Sequence, residues 1–334
     1  MEVIDDLSQA NLNCDTVLTI GAFDGVHRGH QHLIRQLVQE AKQTQRLAGL
    51  ITFYPHPNAV LFPYNPTYYL TTPGEKAALL ERMGLDVLAI LPFDRKMAQT
   101  PARDFVEMIC RHLHMAELWV GADFALGRNR EGDVATLEAM GRELGFTVRV
   151  IEPLTWRGEP ISSTRIRSLL LKGRVCEAAE LLGRYPSVSG EVVRGSLRGR
   201  CLGFPTANLK VRPERAIPAD GVYAAYARLG EERHQGVANI GVRPSFEIGG
   251  ERLVEVHILD FERDIYGCDL VVEFVERLRS ERRFERVDEL VAQIKRDIAQ
   301  ARRILAEEEQ VSQSSKSTDL ADEAETLGSF EQIG

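Results

Sequence analysis

Paired cysteines, long apolar runs and the two common phosphate-binding loops are what this sequence lacks. It has five cysteines, Cys14, Cys110, Cys176, Cys201 and Cys268. They are odd in number, scattered, and nowhere in C-x-x-C spacing, which excludes a disulfide frame and a cysteine zinc site. They read as the reduced thiols of a cytoplasmic protein. No apolar run approaches the roughly 20 residues that span a bilayer, so no membrane partner is expected. The opening M-E-V-I-D-D-L-S lacks the basic and apolar regions of a secretory leader. A basic surplus is missing too: 41 Lys and Arg stand against 49 Asp and Glu, a net charge of −8. Residues 307–334 hold eight acids and one base, Lys316, a net −7 that leaves −1 for everything before them. A nearly neutral body gives no footprint for nucleic acid. Neither G-x-G-x-x-G nor G-x-x-x-x-G-K-[ST] occurs as a phosphate loop. No internal repeat is visible, and nothing points to a protein partner.

What is present fits about two domains for 334 residues. The first half alternates strand-like and helix-like segments. Strands are expected at 17–20, 50–53, 87–91, 118–120 and 147–151, and helices after His30, over 77–83, 101–113 and 134–144. That alternation predicts a doubly wound α/β domain with a parallel sheet, spanning 1–184. Short strands separated by glycine and proline follow at 188–193, 222–227, 236–239, 253–259 and 270–274. They predict a mostly antiparallel β-barrel over 185–306, closed by an amphipathic helix carrying Val287, Leu290, Val291, Ile294 and Ile298. The acidic, Ser/Thr-rich stretch 307–334 is expected to be a disordered tail.

One stretch organises the first half: Gly21-Ala-Phe-Asp-Gly-Val-His-Arg-Gly-His30, directly behind the buried strand at 17–20. Strand, glycine turn and helix place unpaired N–H groups and the positive helix end at the tip of the sheet, where an anion can sit. His27 and His30 are three apart at the helix entrance, and Gly29 between them allows close approach of a ligand. Two imidazoles over a glycine turn suit stabilisation of a polyphosphate during nucleotide transfer. Further on, Ile161-Ser-Ser-Thr-Arg-Ile-Arg167 opens another helix. Its hydroxyls, orphan N–H groups and Arg165 and Arg167 make a second anion site. The Asp123-Phe124 and Tyr54-Pro-His-Pro57 loops follow the strands at the same sheet edge, where such folds bind ligands.

The second half carries Gly190-Glu-Val-Val-Arg-Gly-Ser-Leu-Arg-Gly-Arg-Cys-Leu-Gly-Phe-Pro-Thr-Ala-Asn208. Gly195 and Gly199 let the backbone wrap a phosphate, with Arg198 and Arg200 adding charge. Thr206 and Asn208 offer oxygen ligands suited to a hard cation such as Mg²⁺. Strand alternation at 254–259 puts Glu255 and His257 on one face, where a carboxylate can take a proton from an attacking hydroxyl.

The first of these strings resembles the H-x-G-H motif of nucleotidyltransferases, and the longer segment that of the bifunctional riboflavin kinase/FAD synthetases of bacteria. Ile161–Arg167 is similar to the I-S-S-T-x-x-R element that faces the histidines across ATP in that family. The second string resembles its riboflavin kinase signature G-R-x-L-G-F-P-T-A-N. The resemblance spans about residues 16–303. It implies a Rossmann-like nucleotidyltransferase domain and a riboflavin kinase-like barrel, making FMN from riboflavin and ATP, then FAD from FMN and ATP with pyrophosphate released. It implies Glu255 as catalytic base of the kinase, and His27 and His30 as catalytic groups of adenylyl transfer. Gly21, Phe23, Asp24, Gly29, Ser163, Thr164, Arg167, Gly195 and Gly199 would meet nucleotides, with Thr206 and Asn208 engaging Mg²⁺. Phe53, His56, Phe62, Asp123 and Phe124 would bind flavin in the first domain, although core packing is the other reading for Phe53 and Phe62. Arg279 and Phe284 lie where the family completes its second flavin pocket. Tyr54, Leu126 and Ser245 depart from the family's usual acid, aromatic and threonine. Two other readings stay open: a nucleotidyltransferase for another phosphorylated substrate with a barrel that only binds, and a flavin-binding regulator.

Overall fold

The computed structural model of the chain describes residues 1–10, 12–64, 68–195, 198–242 and 252–328. Two compact units form. Met1–Ser168, Glu180–Gly183 and Glu214–Ala216 make the first; Leu169–Ala179, Arg184–Pro213 and Ile217–Gly334 make the second. A single cut at 184 is therefore too simple. Leu169–Ala179 packs with the barrel because Cys176 Sγ bonds the Val275 carbonyl at 3.3 Å and the Leu170 carbonyl accepts from Ala219 N at 2.9 Å.

The first unit holds strands β1 (Glu2–Ile4), β2 (Thr16–Ile20), β3 (Leu47–Tyr54), β4 (Val87–Pro92), β5 (Met115–Gly121) and β6 (Thr147–Ile151). They form one parallel sheet in the order β1-β4-β3-β2-β5-β6. All five residues of β2 are buried, as a strand covered on both faces must be. Helix α1 (Arg28–Gln43) and helix α2 (Pro73–Glu81) cover one face, where Val17, Ile34, Leu37, Leu50 and Leu80 pack. Helices α3 (Ala102–Leu113) and α4 (Val134–Leu144) cover the other, around Leu18, Ile51, Phe105, Ile109 and Leu137. The order reverses between β2 and β5, so the turn leaving β2 sits at the switch point that open α/β sheets use for ligands. β1 escapes sequence reading because it is three residues long and buries only Ile4.

The second unit is a closed antiparallel barrel of β7 (Ser187–Val193), β8 (Ala207–Lys210), β9 (Gly221–Leu229), β10 (Glu232–Val242), β11 (Arg252–Ile258) and β12 (Asp269–Arg279), ordered β7-β8-β11-β10-β9-β12. β8 is not among the strands expected from the sequence; Asn208 lies on it and is 8% exposed. Ser245 lies outside the described residues. Helices α5 (Ser163–Leu171) and α6 (Val175–Leu182) lie in sequence between the sheet and the barrel, and α7 (Val287–Gly328) closes the chain.

α7 covers one outer face of the barrel, with Ala301, Ile304 and Leu305 on Ala224, Tyr226 and Val275. It does not stop at residue 306, where a disordered tail was expected to begin. Tyr185 Oη donates to Glu308 at 2.6 Å and Gln235 donates to Glu309 at 3.0 Å. Composition alone hides this, because carboxylates that look like solvated tail find donors on the barrel. Burial and the Glu308 carboxylate push the Tyr185 phenol far above its ordinary pKa, so it remains a donor. Tyr185→Phe is expected to lower stability by about 1 kcal/mol. Thermal denaturation would check it, and an unchanged midpoint would remove Glu308 from the docking contact.

Candidate active sites

The first site is built where β2 ends. Gly21 N bonds the Ile51 carbonyl at 3.0 Å, and the chain then turns through Phe23 (φ 45), Gly25 (φ 82) and Val26 (φ 38). Two non-glycine residues with positive φ in one short turn mark a conformation that its surroundings must impose. Asp24 supplies much of that. It is 2% exposed and accepts from Leu70 N at 3.0 Å, Thr71 N at 3.1 Å and Arg167 Nη2 at 2.6 Å. The Asp24 carbonyl accepts from Ser163 Oγ at 2.9 Å, which ties the start of α5 to the turn before α1. Asp24 and Ser163 are thus clamp residues, and Asp24→Ala is expected to cost about 3 kcal/mol by leaving the buried Leu70 and Thr71 N–H groups and the half-buried Arg167 guanidinium without their acceptor. Urea denaturation would measure it; a loss below about 1 kcal/mol would refute the clamp.

His27 caps α1. Its Nδ1 accepts from His30 N at 3.3 Å, so its ring hydrogen is assigned to Nε2, a donor suited to an anion. The rings of His27 and His30 stack, centroids 3.6 Å apart and 15° between planes. Phe23, 5% exposed, packs on His30 at 4.7 Å, as core and not as an open contact. His30 Nδ1 is buried without a hydrogen-bond partner. Burial first, then His27 and Lys76, hold the His30 pKa well below 6.5, so the ring is neutral at neutral pH. A Cβ on Gly29 would lie 3.2 Å from the His27 ring and 3.7 Å from the Ile161 carbonyl. Gly29 therefore serves the fit of His27 as well as access.

The other expected residues divide. Gly21 belongs to the turn itself, where a Cβ would press Phe23 at 3.0 Å. Arg167 pairs with Asp24 and donates to the Tyr68 carbonyl at 2.6 Å. Arg165 donates to the carbonyls of Trp156 and Glu159 and pairs with the Glu159 carboxylate. Thr164 is exposed at the first turn of α5. His56 caps a one-turn helix, accepting from Asn58 N at 3.0 Å, and its pKa is lowered by burial and Arg167. Phe53 packs on Phe93 at 5.5 Å and on the α3 side of the core. Phe62 is 60% exposed. Asp123 is exposed with its carbonyl held by Arg130, while Phe124 packs on the core. Sequence reading missed Lys76. It is 8% exposed and donates to the Ala22 carbonyl at 2.6 Å and to Thr52 Oγ1 at 3.0 Å. The available signal was a charged residue on the apolar side of α2.

The second site lies on the barrel. Register places Asn208 of β8 opposite Glu255 of β11, and Glu255 opposite Asn239 of β10. Paired residues share a face, so three polar side chains form one row, with His257 on that face two residues along. His257 Nδ1 lies 2.7 Å from the Pro205 carbonyl and its ring meets Phe204 edge-on at 5.8 Å, which seats the loop carrying Thr206. The glycines make that seat possible. A Cβ at Gly195 would lie 2.4 Å from Asn208 Nδ2, and one at Gly199 would lie 2.4 Å from the Phe204 carbonyl. Thr206, Asn208 and Arg200 border a cavity of about 330 Å³, floored by Val192, Val256 and Ile258. Arg279 is bound to Asp297 of α7, its Nη2 2.9 Å from the carboxylate, so its guanidinium is already paired. Half-buried Phe284 lies under the Arg282 guanidinium at 4.6 Å. Among the described residues no cluster of three His, Cys, Asp or Glu could hold a metal. A hydroxyl, a carboxamide pinned by Gly195 and a carboxylate next in register are nevertheless hard oxygen donors that fit Mg²⁺ sharing its shell with phosphates.

Both halves of the chain are similar to known proteins. The FAD synthetase family profile matches residues 9–165 and the riboflavin kinase profile matches 182–305. The bifunctional riboflavin kinase/FMN adenylyltransferase of Escherichia coli (strain K12) is 40% identical over 301 residues, covering 90% of this chain and 95% of its own. The relative of the same name from Haemophilus influenzae is 37% identical over 305 residues, covering 90% and 98%. A crystal structure of a Streptococcus pneumoniae protein described as a macrolide-efflux protein matches with a TM-score of 0.83 and 32% identity, over 90% of this chain and 98% of that one. That description belongs to the other protein; among the described residues here, no helix is long and apolar enough to cross a membrane. With matched halves in the same order and this identity over most of its length, the chain belongs to the bifunctional riboflavin kinase/FMN adenylyltransferase family.

Proposed function

We propose that the barrel transfers the γ-phosphoryl group of ATP to the 5′-hydroxyl of riboflavin, and that the α/β unit then joins the FMN phosphate to the α-phosphorus of ATP. What supports this reading is that each unit holds its own polar constellation: the stacked His27–His30 pair at a helix N-terminus in one, and in the other the Asn208–Glu255–Asn239 row, of which Asn208 borders a cavity.

In the kinase step Glu255 accepts the hydroxyl proton as the oxygen attacks the γ-phosphorus and ADP leaves. Mg²⁺, when bound, neutralises phosphate charge, with Thr206 and Asn208 holding it. The remaining work is alignment, which the pinned loop supplies. In the adenylyl step an FMN phosphate oxygen attacks the α-phosphorus and pyrophosphate leaves. No protein nucleophile is needed. His27 Nε2–H and the first N–H groups of α1 face the charge that builds on the leaving group, and the Ser163–Arg167 turn holds its partner phosphates. On this reading the chain acts in the cytoplasm on riboflavin, FMN and ATP.

The products distinguish the two steps. Riboflavin with ATP and Mg²⁺ should yield ADP, whereas FMN with ATP and Mg²⁺ should yield pyrophosphate. ADP from FMN would overturn the assignment. Gly195→Ala should displace the Asn208 carboxamide and lower riboflavin phosphorylation by about 10²-fold, as an ångström-scale misplacement does. Pyrophosphate formation from FMN should be unchanged. Full kinase activity in that variant would detach Asn208 from the site.

A further inference from the structure

We propose that Lys76 is a positioning residue for adenylyl transfer, its ammonium tying the carbonyl side of the Ala22–Phe23 turn to β3 so that His27 and His30 stay aimed at the bound phosphates. The inference rests on the assignment of adenylyl transfer to this unit.

The geometry is specific. Lys76 leaves α2 and reaches under the turn, where Nζ donates to the Ala22 carbonyl at 2.6 Å and to Thr52 Oγ1 at 3.0 Å. Thr52 Oγ1 itself donates to the Ala22 carbonyl at 3.0 Å, so one carbonyl, one hydroxyl and one ammonium close a triangle. Ala22 immediately precedes Phe23, whose φ of 45° is costly for a side-chain-bearing residue. Phe23 in turn packs on His30. The same α2 is locked at its start by a capping box between Thr72 and Glu75, and Glu75 is also paired with Arg215 at 3.0 Å. The lysine is thus held on a fixed stem.

A neutral donor would satisfy Ala22 and Thr52 at a smaller desolvation cost. A buried ammonium with only neutral hydrogen-bond partners is expensive, and such groups concentrate at functional sites. Around it stand Asp24, paired with Arg167, and the rings of His27, His30 and His56, with Tyr54 and Tyr69 on the cavity wall. Lys76 contributes to holding both His30 and His56 in the neutral state. Its own pKa is lowered by burial to about 8, against the opposing pull of Asp24. Lys76 is charged below that value and loses its charge as pH rises through it.

The test uses the full chain. Lys76→Met should lower kcat for FAD formation from FMN by about 10–100-fold with KM for FMN and ATP little changed, the pattern of lost alignment. Riboflavin phosphorylation by the same preparation should be unchanged, which shows that the chain is folded. In the unmodified protein kcat/KM for FAD formation should fall above about pH 8, and this limb should vanish in Lys76→Met. Thr52→Val keeps the charge and removes one acceptor, so the limb should move to lower pH, because the lost bond favoured the charged form. Unchanged kcat in Lys76→Met, or a limb unmoved in both variants, would overturn the inference. An unmodified protein that makes FMN but no FAD would instead refute the assignment beneath it.

Discussion

Glu255→Gln is expected to lower riboflavin phosphorylation by about 10³-fold, the middle of the range for a lost general base. Glutamine keeps the shape and the hydrogen bonding of the side chain, so the barrel should remain intact. What it removes is the ability to accept the 5′-hydroxyl proton. The expectation follows from register. Glu255 stands directly across from Asn208, and Asn208 borders the cavity together with Thr206 and Arg200. FAD formation from supplied FMN should continue unchanged, because Glu255 has no part in the α/β unit. FMN formation measured by chromatography decides the matter: retention of full activity would assign the row Asn208–Glu255–Asn239 to binding alone.

The second large effect belongs to the histidines. His27→Asn with His30→Ala should reduce FAD formation from FMN by about 10³-fold, as the loss of preorganised donors does. Asparagine at 27 preserves an N-cap acceptor, so α1 should keep its start. Riboflavin phosphorylation should be untouched. Equal loss of both activities in a folded protein would contradict the division of labour between the units.

The parallel sheet and the barrel were legible in the sequence because period and punctuation differ so sharply between the halves. Val17 and Leu18 belong to opposite cores, and Leu37 and Ile34 fall on one helix face, as their spacing requires. The histidine turn was legible because strand, glycines and helix follow one another without interruption. Other features depend on contacts between distant segments. Asp24 looks like a ligand residue in the motif, but its carboxylate is occupied by Leu70, Thr71 and Arg167. Arg279 looks available for a flavin, yet Asp297 of α7 holds it. Lys76 lies far from the motif in sequence and reaches the turn because α2 covers the same sheet face as α1. β8 hides inside the P-T-A-N signature because glycine and proline around it announce a turn. Acidic composition at 307–309 suggested solvent, whereas Tyr185 and Gln235 supply donors.

A time course tests the two-step scheme most directly. Riboflavin, ATP and Mg²⁺ are incubated with the full chain, and flavins are separated at intervals. FMN should rise first, and FAD should follow as FMN is consumed. FMN that accumulates without FAD would contradict the reading of the His27–His30 site, and FAD formed only when FMN is supplied would contradict the reading of Glu255.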